Sequence, residues 1–268
     1  MNKLKKTLKA LGLICQHPYL LNNVINDEAV RKEEVIRKYN LPDGLPLLEI
    51  NQLFPNFTQT VRPYAYLSGA TMPIDIAFLK ALAQQYHAQS YFEIGTWRGE
   101  SVANMAEVVP ECTTFNLPKD EILQLSGNER YADLHAFFSK NLPNVKQLLG
   151  NSLTFDFTPY HKQFDMVFID GDHHYEAVKK DTETAFNLIK GRSSVIVWHD
   201  YALDPETIRW NVMEAILDGA PKDKKGNIYH VSNTLCAVYL PEKRNSEVLV
   251  PFEKPQKFFE ITIKTEKC

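Results

Sequence analysis

The stretch Phe164-Asp165-Met166-Val167-Phe168-Ile169-Asp170-Gly171-Asp172-His173-His174-Tyr175-Glu176 places an apolar run directly ahead of several ionisable, metal-ligating side chains. A short apolar run bounded by polar residues and glycine reads as a buried strand over Met166 to Ile169, and His174 to Lys190 carries helical spacing after it. The same order recurs on either side. Upstream, Tyr91-Phe92-Glu93-Ile94 fits a buried strand, followed by Gly95, Gly99 and a helix over Ser101 to Val109. Downstream, Val195-Ile196-Val197-Trp198 ends in His199-Asp200-Tyr201. Strands alternating with helices imply a parallel sheet covered on both faces.

Working outward, further strands are expected at Thr113 to Leu117 and Val145 to Leu149, and further helices at Tyr131 to Lys140 and Glu206 to Leu217. Ile228 to Val231 and Leu235 to Leu240 lie close enough to close the sheet with an antiparallel hairpin. The fold class is therefore α/β: a Rossmann-like, mostly parallel sheet with helices on both faces, a terminal antiparallel hairpin and an N-terminal helical addition. Residues 1–68 read as the N-terminal extension, 69–241 as the cofactor-binding domain and 242–268 as a C-terminal extension. Within the first of these, Leu4, Leu8 and Leu11 share a helical face, whereas Pro42, Gly44, Pro46, Pro55 and Pro63 break residues 40–65 into a loop-rich connector. The basic first turns can touch a membrane surface, but packing on the chain's own domain or on a second subunit is the commoner use of such a helix.

Composition narrows the class. With 268 residues, 44% hydrophobic and 24% charged, the chain is long enough for one catalytic domain with a sizeable core. Thirty basic against 33 acidic residues leave a net charge of -3 and no overall electrostatic reason for a nucleic-acid partner. Cys15, Cys112, Cys236 and Cys268 form no C-x-x-C pair, so neither a zinc knuckle nor a disulfide framework is expected, and a cytoplasmic setting is the simplest. Lys9 interrupts the apolar N-terminal stretch, which argues against a signal peptide, and no integral membrane segment is expected.

The chemistry lies at the strand ends, which in a parallel sheet face the ligand crevice. Gly95 and Gly99 let backbone approach a ligand closely, with Ser101 near a helix N-terminus. Their G-x-x-x-G spacing lacks the extra glycine that makes room for a dinucleotide pyrophosphate. Glu93 is placed to meet a cationic amino acid group. Asp170 from one strand and His199 with Asp200 from the next can hold a divalent cation while leaving positions open for substrate oxygens. The plainer alternative is that Asp172 caps the helix near His174, Asp170 bonds to loop amides and His199 is a packed structural residue. Tyr64, Tyr66, Trp97, Trp198, Tyr201 and Trp210 either line a cleft or, more commonly, belong to the core.

Together, Glu93 to Ser101, Phe164 to Glu176 and Val195 to Tyr201 resemble class I S-adenosylmethionine-dependent methyltransferases, in the small-molecule O-methyltransferase set with catechol and macrolide-sugar O-methyltransferases and cephalosporin-hydroxylase-like proteins. The resemblance spans roughly residues 70 to 240. It implies S-adenosylmethionine as cofactor, bound by Glu93, Gly95, Gly99 and Ser101 on the methionine side and by Asn151 and Ser152 on the adenine side. It also implies Asp170, His199 and Asp200 as metal ligands, with Asp170 bordering the cofactor, and His173 as the general base for a small-molecule hydroxyl acceptor. Asn116 stands where many relatives carry an acidic ribose ligand, and His199 replaces an oxygen ligand. Magnesium or manganese is the expected cation, and imidazole suits manganese, iron or zinc better than magnesium. A homo-oligomer is compatible with the extension. The rival expectations are an iron-dependent oxidative reaction at the same cluster and a non-catalytic binding protein on the same fold.

Overall fold

The computed structural model describes residues 2–25 and 27–267; Met1, Asn26 and Cys268 lie outside the described residues. In chain order the elements are α1 (Lys3–Gln16), α2 (Leu21–Ile25), α3 (Glu28–Tyr39), β1 (Leu47–Leu48), α4 (Ile50–Leu53), α5 (Pro73–Gln85), β2 (Ser90–Ile94), α6 (Glu100–Met105) and β3 (Glu111–Asn116). They continue with α7 (Lys119–Ser126), α8 (Glu129–Asp133), β4 (Val145–Leu149), β5 (Met166–Ile169), α9 (Tyr175–Leu188), β6 (Val195–Trp198), β7 (Ala202–Asp204), β8 (Thr207–Ile208), α10 (Trp210–Gly219), β9 (Ile228–Val231) and β10 (Ala237–Tyr239).

Eight strands form one sheet in the order β1-β9-β10-β6-β5-β2-β3-β4, and β7 pairs with β8 in a separate ribbon. Every pairing in the large sheet is parallel except those of β10, which runs antiparallel to β6 and β9. From β2 the chain moves outward through β3 to β4, then returns to β5 on the other side of β2. The order reverses there, and ligands of open α/β sheets bind in the crevice at such a point.

Burial on both faces explains why the central strands read as unbroken apolar runs. On β5, Val167 and Ile169 face a core shared with α9 and α10, through Val178, Leu188, Val212 and Ile216. Met166 and Phe168 face the opposite core, with Phe78 and Leu82 of α5 and Val102 of α6.

Some expectations need correction. Helix extends only over α8 within Tyr131 to Lys140, because Ala136 adopts φ 57° and donates its N–H to Trp97 O (2.6 Å) while Phe138 N bonds Arg98 O (2.9 Å). Those donors serve the glycine loop instead of a helix. Within Glu206 to Leu217 the helix starts at Trp210, because Asp204 Oδ1 accepts from Glu206 N (2.9 Å) and turns Thr207–Ile208 back onto Ala202–Asp204. Helix α7 lies in a stretch without an expected element and ends on Gly127 at φ 62°.

Residues before 69 contribute directly to the domain. Leu47 and Leu48 pair with His230 and Val231 at the sheet edge. Helix α3 lies on α10 through Arg31–Glu214 (2.9 Å), Lys38–Glu214 (2.7 Å) and Lys38–Asp218 (2.8 Å), with Val35 fully buried. Helix α1, by contrast, buries none of its residues. Cys15, Cys112 and Cys236 are free. Among the described residues no helix is long and apolar enough to cross a membrane.

Candidate active site

Two walls meet at the reversal point. The first is the turn from β2 into α6. Gly95 sits at φ 98°, and a Cβ there would stand 2.0 Å from the Asp170 carbonyl oxygen, so only glycine lets this turn pass against the end of β5. Gly99 at φ 80° is similarly pressed on Ser139, whose Oγ would lie 2.4 Å from an added Cβ. The buried Arg98 guanidinium donates to Ser68 O (2.9 Å) and Leu67 O (3.1 Å) and pairs with Glu100 (3.3 Å), fixing the preceding connector against the turn. The Trp97 ring lies tilted against Tyr131 with centroids 4.4 Å apart and edge-to-face with His135 at 4.8 Å.

Glu93 is fully buried beside this turn. Its carboxylate accepts from Tyr91 Oη (2.6 Å) and Thr114 Oγ1 (3.3 Å). Burial pushes the Glu93 carboxyl up to about 8 against the pull of those hydrogen bonds and Ser101. Beyond β3, a cavity of about 300 Å³ is lined by Asn116, Leu117, Ile122, Leu125, Ser126, Tyr131 and His135. Asn151 and Ser152 follow the neighbouring β4 and do not line it. Asn151 Oδ1 is engaged by Leu153 N (3.0 Å), closing its own turn.

The second wall is acidic. Asp170, His199 and Asp200 each offer a ligand atom within 4.8 Å of the others. His199 Nδ1 lies at ion-pair distance from both carboxylates, 3.0 Å from Asp170 Oδ1 and 3.4 Å from Asp200 Oδ2, but is aligned with neither for a hydrogen bond. The other ring nitrogen, Nε2, is held at 3.0 Å by Asp75 Oδ2. Asp75 is itself fully buried, and its Oδ1 accepts from Leu235 N (3.0 Å). Thr71 Oγ1 donates to Asp170 Oδ2 (2.7 Å), and Arg209 approaches Asp200 at 3.4 Å.

Electrostatics follow from this crowding. Burial alone lowers the His199 pKa, but Asp170, Asp200 and Asp75 together raise it well above the ordinary imidazole value. Burial works against ionisation of Asp200 too, but His199, Arg209 and His173 hold its carboxyl below the usual range. A largely enclosed imidazole oriented by a carboxylate on one nitrogen and facing two further carboxylates with the other fits a ligand of a divalent cation. Two adjacent carboxylates complete a donor set that such cations accept. His173 is exposed, stacked 5.6 Å from His174. Asp172 does not cap α9, whose N-cap is His174 with no side-chain cap bond; Asp172 Oδ1 instead accepts from His174 N (2.9 Å) and closes the turn ahead of the helix.

Of the aromatic candidates, Trp198 and Tyr201 are core: Trp198 Nε1 donates to Thr182 Oγ1 (2.9 Å) and Tyr201 Oη accepts from Leu45 N (2.9 Å). Tyr66 is exposed, and Lys32 lies over Trp210 at 4.9 Å. Asp75 and Thr71 are the site residues that sequence reading missed. The available signal was one acidic side chain inside the otherwise apolar run Pro73-Ile74-Asp75-Ile76-Ala77-Phe78-Leu79.

Residues 92–201 match the family model described as a methyltransferase domain, which spans both walls. The chain is also similar to solved structures. The O-methyltransferase TomG of Streptomyces achromogenes, involved in tomaymycin synthesis and in complex with SAM, aligns with a TM-score of 0.42 at 18% identity, covering 64% of this chain and 81% of that one. An O-methyltransferase from Bacillus cereus in complex with SAH aligns with a TM-score of 0.43 at 16% identity, covering 84% and 97%. The SAH-bound methyltransferase PaMTH1 of Podospora anserina aligns with a TM-score of 0.40 at 15% identity, covering 64% and 80%. No curated protein matches the sequence.

Proposed function

We propose that this protein is an S-adenosylmethionine-dependent O-methyltransferase that uses a divalent cation to position the hydroxyl of a small-molecule acceptor. The observation that carries the metal-assisted reading is the clustering of Asp170, His199 and Asp200, with the enclosed His199 Nδ1 facing both carboxylates without a hydrogen bond while Asp75 holds Nε2. A cation ligated there lowers the pKa of a coordinated hydroxyl and neutralises developing alkoxide charge.

The chain's own residues supply the rest. The turn that Gly95 and Gly99 allow, packed on Asp170 and Ser139, takes the amino acid portion of S-adenosylmethionine, Glu93 meets its ammonium group, and Ser101 supports Glu93. Asn116 and the cavity beyond β3 receive the ribose and adenine side, with Asn151 and Ser152 at the next strand end. His173, in the turn between β5 and α9, accepts the acceptor's proton. S-adenosylmethionine would supply the methyl group, its bond to sulfur breaking as the bond to the acceptor oxygen forms, with S-adenosylhomocysteine as the product. Holding the two reactants in line contributes most of the acceleration.

Calorimetric titration with S-adenosylhomocysteine, followed by turnover with labelled S-adenosylmethionine and panels of sugar and phenol hydroxyls with and without manganese, tests this reading. Cofactor binding with metal-stimulated methyl transfer is expected. Failure to bind the cofactor overturns methyl transfer, and oxygen-dependent turnover with iron favours the oxidative reading instead.

A further inference from the structure

Helix α1 is amphipathic and leaves its leucine face open: none of its residues is buried, and Leu4, Leu8 and Leu11 are 69%, 61% and 54% exposed. Leu4, Leu8, Leu11 and Cys15 follow the i, i+4, i+7, i+11 spacing that puts them in one stripe. Lys3, Lys5, Lys6 and Lys9 lie off that stripe, and no acidic residue occurs between Lys3 and Gln16. The apolar surface continues past the helix through the exposed Tyr19, Leu21, Val24 and Ile25. The helix itself is well formed, with Asn2 Oδ1 accepting from Lys5 N (3.0 Å) at its start.

We propose that α1 is an interfacial helix that lays its leucine stripe on an anionic lipid surface. Charge complementarity chooses this occupant. Pairing the stripe with that of a second copy brings lysine-rich flanks together, and like charges at such contacts repel. An anionic bilayer accepts the leucines into its headgroup boundary while attracting every lysine of the helix. The 14-residue helix is too short to span the hydrocarbon region and suits lying in its plane. This anchoring is independent of the chemistry proposed above.

Co-sedimentation of the full chain with vesicles of phosphatidylglycerol, and separately of phosphatidylcholine, tests it, with analytical ultracentrifugation of the protein alone alongside. The expected result is binding to phosphatidylglycerol only, weakened by salt. Lys5→Gln, Lys6→Gln and Lys9→Gln together should reduce the partition coefficient about 100-fold, at roughly 5-fold per lysine. Leu4→Glu with Leu8→Glu should abolish binding while the thermal melting profile is unchanged, since neither side chain is packed. Absence of binding to phosphatidylglycerol, equal binding by the leucine variant, or a dimer in solution that the leucine variant dissolves overturns the proposal.

Discussion

Replacing Asp75 with Asn tests the proposed metal site without touching a proposed ligand. The carboxylate accepts twice, from His199 Nε2 through Oδ2 and from Leu235 N through Oδ1, both at 3.0 Å. An amide has one accepting oxygen. With its NH2 toward His199, Nε2 must accept and the ring proton moves to Nδ1, the atom aimed at the cation. With its oxygen toward His199, the NH2 meets the Leu235 N–H donor to donor and leaves a buried amide unpaired. The first outcome removes a ligand in its binding form, and loss of an outer partner of this kind costs about 10–100-fold in metal affinity, or about 1.4–2.7 kcal/mol. The second costs about 1–3 kcal/mol of fold stability. Manganese affinity from electron paramagnetic resonance titration and stability from urea unfolding separate the two. Unchanged manganese affinity together with unchanged stability would refute the role given to Asp75.

Four further outcomes are expected. Because His199 in the cation-free fold holds its proton well above the ordinary imidazole range, manganese must displace it, so affinity should weaken about tenfold per unit as pH falls below that raised pKa, read by calorimetry in buffers of different ionisation heat. Glu93, raised to about 8 by burial, keeps its proton in the fold after the unfolded chain has lost it, so its contribution declines as pH rises from about 4.5 to 8. Glu93→Gln should flatten that part of the denaturation profile and weaken cofactor binding. Gly95→Ala should cost at least about 3 kcal/mol in urea unfolding, from the positive φ and the collision with Asp170 O. Asn116→Asp should tighten S-adenosylhomocysteine about 5-fold in calorimetry, through a charge-assisted bond to a ribose hydroxyl.

The sheet was legible where burial on both faces turned a strand into an apolar run, as at Met166 to Ile169 and Val195 to Trp198. It was illegible where a distant partner took over backbone groups. Ala136 and Phe138 sit in a helix-compatible sequence, and it is the Trp97 and Arg98 carbonyls that divert their N–H groups. Strand β1 is two residues long in a proline-rich stretch and exists because the β9 edge lies beside it. The cluster of Asp170, His199 and Asp200 was readable because its members follow strand ends. Asp75 was not: it comes from α5, 124 residues before His199, and only folding places it behind that ring.

The glycine turn and the acidic cluster are mechanically one object. Asp170 N donates to Ile94 O (2.8 Å), His199 N donates to Ile169 O (2.9 Å), and Gly95 is packed against the Asp170 backbone. Three adjacent strand ends therefore share a continuous ladder across the point where the sheet order reverses. Any displacement of the turn at Gly95 is passed to the Asp170 carboxylate. Methyl transfer requires donor carbon and acceptor oxygen to be held in line within a few tenths of an ångström, so a site on ladder-bonded strand ends suits it better than one on independent loops. The strictness of Gly95 is the cost of that coupling: the turn and the cluster can approach so closely only where no side chain intervenes.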